Sequence, residues 1–368
     1  MARNLLLPNW KHLSKYIPAN MSYEEYTMGS TRNVLSFVMT ALLFLSGVVN
    51  VSADEKKWHP GHYMLVWQNS GIKKINKILN EPNFKGAIFW HSWRELESSK
   101  GVYNFSVITN ELRASEAHDK RFALQLLDKT FGSKYAPCVP DYMLKEPVYQ
   151  GGQSLRKNGY GEVIDCVPKR WIPAVQDRLI ALYTALGKRF DAEPYFEAIQ
   201  NTENVISPRP DMRGYSVAAH TEQLKRGLTA LVKAFPHTQV FQKVNWQRSE
   251  VAALVAHART IGAGIGGPDI MPTHQTDAYP HYRANYGKMP LAMDGQPGGV
   301  AKYLRSGEVD FDDIFRFVAT HPDGLRTNYV FWAPSENTFW SFERKVKPVV
   351  NKYKGYINKA CPLSITCQ

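Results

Sequence analysis

Carboxylates, side-chain amides and tryptophans gather at the downstream ends of short apolar runs in this chain. Trp67 and Gln68 follow the first run, Trp90, His91, Trp93 and Glu97 the second, and Gln125 and Asp128 belong to the third. Gln200, Asn201 and Glu203 close the fourth, and Asn245, Trp246 and Gln247 the fifth. Asp269 follows the sixth, Asp294 and Gln296 the seventh, and Trp332 and Glu336 the eighth. Indoles can stack on the apolar faces of pyranose rings, amides and carboxylates can bond hydroxyls, and two carboxylates can handle a glycosidic bond. On that chemistry Glu203 is a candidate catalytic residue, and the resemblance described below adds Asp294. The candidate substrate-binding residues are Trp90, His91, Trp93, Gln125, Asn201, Trp246, Gln296 and Trp332. A carboxyl at the rim of an aromatic pocket loses hydration, which raises its proton affinity and would let Glu203 donate near neutral pH. Plainer uses stand beside these. Any one tryptophan can serve the core, Glu203 can open an exposed loop before Pro208, and Asp269 can cap amides in the turn at Gly266-Gly267-Pro268.

The elements that must position these groups alternate along the chain. Expected strands are His62–Trp67, Lys85–Trp90, Arg121–Leu127, Tyr195–Gln200, Gln239–Asn245, Ala263–Ile265, Met289–Asp294 and Asn328–Trp332. Helical periodicity is clearest at Val107–His118, Ile172–Phe190, Thr221–Ala234, Glu250–Thr260, Phe311–Ala319 and Trp340–Lys352. Strands interleaved with helices in this way predict a single α/β domain, a (β/α)8 barrel over residues 54–368. The sixth strand is the least typical, with Gly262, Gly264, Gly266 and Gly267 around it. Phe131–Lys169 is long and rich in Gly, Pro and Tyr, and it follows a strand. A loop there sits on the active-site face of a barrel, and this one is expected to form a disulfide-pinned wall of the cleft.

Residues 1–53 read as a polar extension followed by an export signal. Arg32 precedes the apolar run Asn33–Val51, Val51-Ser52-Ala53 has the small-residue pattern of a cleavage site, and charges resume at Asp54. An uncleaved anchor is the alternative. Export predicts a secreted or periplasmic protein with no membrane contact once the signal is removed. Four cysteines suit an oxidising compartment, and proximity favours Cys138 with Cys166 and Cys361 with Cys367. The formal charge of +12 is dispersed rather than clustered, so it excludes little and no nucleic-acid partner is expected. No CxxC, GxGxxG or Walker pattern stands where a metal, dinucleotide or nucleotide would need it, so no cofactor is expected. Oligomeric state is not legible.

Phe89-Trp90-His91-Ser92-Trp93-Arg94-Glu95-Leu96-Glu97, followed by Gly101-Val102-Tyr103-Asn104-Phe105, resembles a stretch that follows strand two in retaining (β/α)8 glycoside hydrolases. That clan includes beta-galactosidases, xylosidases and endoglycanases. Its fourth strand ends in Asn-Glu, the Glu being the acid/base, and Asn201-Thr202-Glu203 is similar with one residue inserted. The resemblance therefore implies hydrolysis of O-glycosidic bonds in a poly- or oligosaccharide. At strand seven the clan has a nucleophilic Glu, where this chain has Asp294-Gly295-Gln296. Three possibilities stay open: Asp294 is the nucleophile, Glu336 supplies the carboxylate, or the barrel binds glycans without hydrolysing them.

Overall fold

The computed structural model describes residues 55–68, 70–130, 137–206, 211–245, 248–272, 277–298, 310–337 and 339–368. The expected signal segment, Trp246 and Gln247 lie outside them. All the described residues belong to Ala53–Gln368, the second of the chain's two compact units.

Eight parallel strands form the sheet: β1 (Gly61–Val66), β2 (Gly86–Ser92), β3 (Arg121–Leu127), β4 (Phe196–Asn201), β5 (Gln239–Lys243), β6 (Gly264–Gly266), β7 (Ala292–Gly295) and β8 (Tyr329–Trp332). Their order is β6-β5-β4-β3-β2-β1-β8-β7. The ring closes where Ile265 bridges Leu291, with Ile265 N donating to Pro290 O at 3.1 Å and Asp294 N to Gly267 O at 2.8 Å. A helix follows each strand: α1 (Ile72–Leu79), α2 (Ser106–Ala117), α3 (Pro173–Phe190), α4 (Val217–Ala234), α5 (Arg248–Thr260), α6 (Tyr279–Asn285), α7 (Phe311–Phe315) and α8 (Lys347–Lys352). The protein is a (β/α)8 barrel, and all eight strands overlap the positions that apolar patterning predicts. Helices α1 and α6 are additional to the expected ones. Each is shorter than the window in which a 3.6-residue period becomes visible.

Strand pleating sorts the side chains into two cores. Tyr63, Leu65, Ile88, Ala123, Ala198, Phe241, Ala292, Tyr329 and Phe331 pack together inside the ring. Neighbours of opposite parity, among them Met64, Phe89, Leu124, Ile199, Met293 and Val330, pack outward beneath the helices. The glycines of β6 are explained by the first core. A Cβ on Gly264 would lie 2.6 Å from the Phe241 ring, and one on Gly266 would lie 2.7 Å from Gln200 Oε1. On β4 the pairing with β3 steps from Phe196 to Ala198 and leaves Glu197 as an extra residue. The bulge turns Glu197 into the closed base of the barrel.

Between β3 and α3 the chain forms a short helix, Asp141–Lys145, and a hairpin of Gln153–Lys157 with Val163–Pro168. Cys138 and Cys166 are disulfide-bonded, and Thr130 bridges Cys166, so the hairpin is fastened to the exit of β3. Cys361 and Cys367 form the second expected disulfide. Among the described residues, no helix is long and apolar enough to cross a membrane.

Candidate active site

A cavity of about 610 Å³ opens at the C-terminal ends of the strands. Inward parity continued past the strand ends delivers its walls: Trp67 from β1, Trp90 from β2, Leu127 from β3, Thr202 from β4, Lys243 and Asn245 from β5, and Gln296 beyond β7. The disulfide-fastened hairpin supplies a further wall through Arg156, Asp165 and Val167, as expected of the long third loop. Trp67 and Trp90 meet edge to face with ring centroids 4.6 Å apart, a stable geometry for an aromatic pair. The Trp90 indole N–H is enclosed yet has no hydrogen-bond partner among the described residues.

Glu203 stands half-buried on the wall beyond β4. The Asn245 side-chain amide donates to its Oε2 at 3.2 Å. Asn245 is itself held, because its backbone N–H donates to Asn204 Oδ1 at 2.7 Å. At the cavity floor, Lys243 Nζ lies 2.5 Å from Asp294 Oδ2 and 5.6 Å from the Trp90 ring centroid. Gln200 Nε2 donates to Asp294 Oδ1 at 3.2 Å and to Gln125 Oε1 at 2.8 Å. Burial pushes the Asp294 carboxyl above its ordinary range, against the pull of Lys243, and the nearby charge of Glu203 adds to the rise. Asp294 is thus a buried member of an ion pair, with the ammonium of Lys243 on the cavity side of it.

The residues singled out from sequence divide into three groups. Trp90, Glu203 and Gln296 are brought together on the cavity wall. Gln125 and Asp294 point into the ring below it, bonded to Gln200. The remaining four described ones face away. Asn201 accepts from Tyr183 Oη of α3 at 3.0 Å. His91 lies under α2, with Nε2 2.6 Å from Glu111 and Nδ1 3.3 Å from Glu95. Burial opposes a charge on His91, yet the two carboxylates prevail and raise its pKa to about 9. Trp93 donates to Glu97 Oε2 at 2.7 Å, and Trp332 donates to His62 Nδ1 at 2.9 Å; both indoles are fully buried. The outward turn of the pleat at His91, Asn201 and Trp332 sends them to the helix layer. Glu336 is exposed and accepts from Glu343 N at 3.0 Å, away from the cavity lining.

The stretch after β2 has its own structural logic. Ser92 and Glu95 form a reciprocal cap on the turn Trp93–Leu96. Glu97 then gathers the Trp93 indole, Gly101 N, Tyr142 Oη and the Arg178 guanidinium around one buried carboxylate. That explains the Trp, Glu and Gly of the pattern as a fold-closing cluster, which its Tyr103 joins by accepting from Arg178 at 3.3 Å. Lys243, Arg156, Asp165 and Lys129 are cavity residues that sequence reading did not single out. The signal for Lys243 was available: it has the inward parity of Phe241. Among the described residues, no group of three or more His, Cys, Asp or Glu is arranged to hold a metal ion.

No family model matches the chain, and no curated protein matches it. Solved structures do. The lactosyl-enzyme intermediate of endo-glycoceramidase II from Rhodococcus sp. is similar with a TM-score of 0.52 at 11% identity, over 81% of this chain and 80% of that chain. The catalytic domain of beta-amylase from Paenibacillus polymyxa is similar with a TM-score of 0.50 at 9% identity, over 84% of this chain and 96% of that one. At such identities the likeness is one of fold. The chain shares the (β/α)8-barrel fold with these structures.

Proposed function

We propose that the protein is an exported enzyme of glycoside hydrolase type that cleaves a poly- or oligosaccharide, with Glu203 as the proton donor. One observation carries this reading. Glu203, oriented by the Asn245 amide, shares a cavity at the barrel mouth with the Trp67–Trp90 pair. The pair offers apolar faces for a sugar ring, and a half-buried carboxyl beside it can protonate a leaving oxygen. The barrel likeness to proteins named as an endo-glycoceramidase and a beta-amylase supports the same class. Two disulfides suit the exported state.

A retaining mechanism needs a second carboxyl about 5–5.5 Å from the first, and an inverting one about 6.5–9.5 Å away to admit a water. Asp294 can act as nucleophile only if Lys243 releases it. Asp269, on the cavity wall beyond β6, is the alternative carboxylate and would act as base toward a water. The Lys243–Asp294 pair also favours a second reading, a barrel that binds glycans without cleaving them. Reducing-end release from a glycan panel, run beside calorimetric binding, separates these. Release that disappears in Glu203→Gln supports hydrolysis, and binding without release supports the second reading. Neither binding nor release on any glycan would remove both.

A further inference from the structure

Gln68 stands half-buried on the cavity wall just beyond Trp67, and the proposed acid chemistry does not use it. Its Nε2 donates to Glu95 Oε2 at 2.6 Å and to Ser92 Oγ at 3.3 Å. Those two bonds take both hydrogens of the amide. The amide cannot turn over, because an ionised carboxylate only accepts. Burial would raise the Glu95 carboxyl, but the bonds from His91 prevail and hold it below its ordinary range. Glu95 is itself fixed in place by the reciprocal cap with Ser92 and by His91 Nδ1 at 3.3 Å. Gln68 Oε1 is thus the polar atom left over, with no partner among the described residues. In the same cavity the Trp90 indole N–H is a donor that also lacks a partner among them.

We propose that Gln68 and Trp90 read the free hydroxyls of one sugar ring seated against the Trp67–Trp90 pair, Gln68 Oε1 accepting a hydroxyl hydrogen and Trp90 Nε1 donating to a hydroxyl oxygen. Glu95 is the positioning residue that keeps the Gln68 carbonyl turned to the ligand. The proposal rests on the reading of the cavity as a glycan site and adds the substrate class, a neutral saccharide with unsubstituted hydroxyls on that ring. A hydroxyl both donates and accepts, so it serves either atom. A carboxylate, a sulfate ester or a methyl ether has no hydrogen to give Gln68 Oε1. An anion there would also face the carbonyl dipole and, behind the amide, the Glu95 charge. Lys243 does not offset this, since its ammonium lies 2.5 Å from Asp294 Oδ2 and is matched by it. A ligand that leaves a buried polar atom unpaired loses the bond and the hydration together, which is what makes such a pair selective.

The test begins with calorimetric titration of tetraoses from cellulose, xylan, laminarin, mannan and amylose, beside tetraoses from polygalacturonate and alginate. A neutral member should bind, and the acidic ones should bind about tenfold more weakly or worse. Tightest binding by an acidic member would overturn the proposal and leave the glycan site standing. Binding by no member would remove the glycan reading and this proposal with it. Each hydroxyl of the bound neutral tetraose is then removed in turn. At one position the deoxy analogue should lose about three- to tenfold in affinity for the wild type, the worth of one hydrogen bond. That penalty should vanish in Gln68→Met, which keeps the chain length and loses the amide. The same penalty, or that of a neighbouring hydroxyl, should vanish in Trp90→Phe, which keeps an aromatic face and loses the N–H. Penalties unchanged in Gln68→Met would overturn the proposal, since a merely structural defect weakens parent and analogue alike. Glu95→Gln should blunt the same discrimination, and no change there would overturn the positioning role. Where Glu95→Gln does not fold, a ligand-free measurement decides that role. One Gln68 side-chain amide proton, assigned with Gln68→Met, should resonate downfield of the ordinary glutamine range because it is held by a carboxylate. A pair at ordinary positions overturns the orientation.

Discussion

Two glutamates mark the two ends of β4 and show how differently one barrel can treat the same side chain. Glu197, at the base, is fully enclosed and accepts from His59 N at 2.7 Å, His59 Nδ1 at 2.8 Å and Tyr329 Oη at 2.6 Å. Glu203, at the mouth, is half-buried and receives the Asn245 amide alone among the described residues. Two tryptophans repeat the contrast. The Trp332 indole N–H is bonded to His62, whereas that of Trp90 is enclosed without a partner among the described residues. Buried polar atoms are normally satisfied by the chain, and leaving one unsatisfied costs about 1–3 kcal/mol. Where the chain completes the bonding, the residue holds the fold. Where it stops short, on a cavity wall, the remainder is available to a ligand.

The largest effect that would sharpen this division is on turnover. Glu203→Gln should lower glycan cleavage about 10²–10⁴-fold, the usual worth of a general acid, while leaving the thermal midpoint nearly unchanged. A variant that loses stability instead of activity would place Glu203 with Glu197. Trp332→Ala should cost about 3–5 kcal/mol in urea unfolding, because it empties a packed site beside His62 and Trp340. Its glycan affinity, measured on the folded fraction, should stay the same.

Glu197→Gln should cost about 3 kcal/mol, since it removes a charge on which buried donors converge. Burial alone would raise this carboxyl, but the bonds from His59 and Tyr329 prevail and hold it below its usual 4.5. The native state therefore binds its proton less readily than the unfolded chain does. The stabilisation is complete above about pH 4.5 and lost as pH falls through the native value. Acid unfolding should accordingly be shallower in the variant, and an identical acid limb would contradict the assignment. The smallest effect belongs to Trp90→Ala. It should weaken glycan binding by about 1–2 kcal/mol, read by calorimetry, for lost stacking and a lost indole donor. A gain in affinity or an unaltered isotherm would break the contrast with Trp332.

The fold was legible because apolar runs and helical periods alternate regularly, and even the glycine-rich sixth strand declared itself by position. The site was legible only in part. Placing residues at strand ends identifies the mouth, but facing is decided by pleat parity, and parity separates Trp90 from His91 and Gln296 from Gly295. At β4 the inward parity of Ala198 and Gln200 passes to Thr202, while Glu203 reaches the wall beyond the strand end at Asn201, so counting back from Glu203 misplaces Asn201. Trp332 shares the outward parity of Val330, a test that the sequence alone would have permitted once the strand was assumed. Lys243 escaped notice for a different reason. In a chain with 45 Lys and Arg residues, one more lysine reads as surface, and its partner Asp294 is distant in sequence.

Among the described residues, the ionisable ones that line the cavity are Lys129, Arg156, Lys243, Asp165, Glu203 and Asp269, three basic and three acidic. Arg156 is tied to Asp165, and Lys243 to Asp294 beneath it. The mouth is thus nearly balanced in formal charge, although the whole chain carries +12. Surface charge of that sign draws anions only over about a Debye length and fades as salt rises. An uncharged saccharide seated in a balanced pocket has little to gain or lose from that field. Ionic strength then becomes a means of telling the two apart: raising it should strip polyanions from the outer surface while the affinity of a neutral glycan for the mouth holds steady.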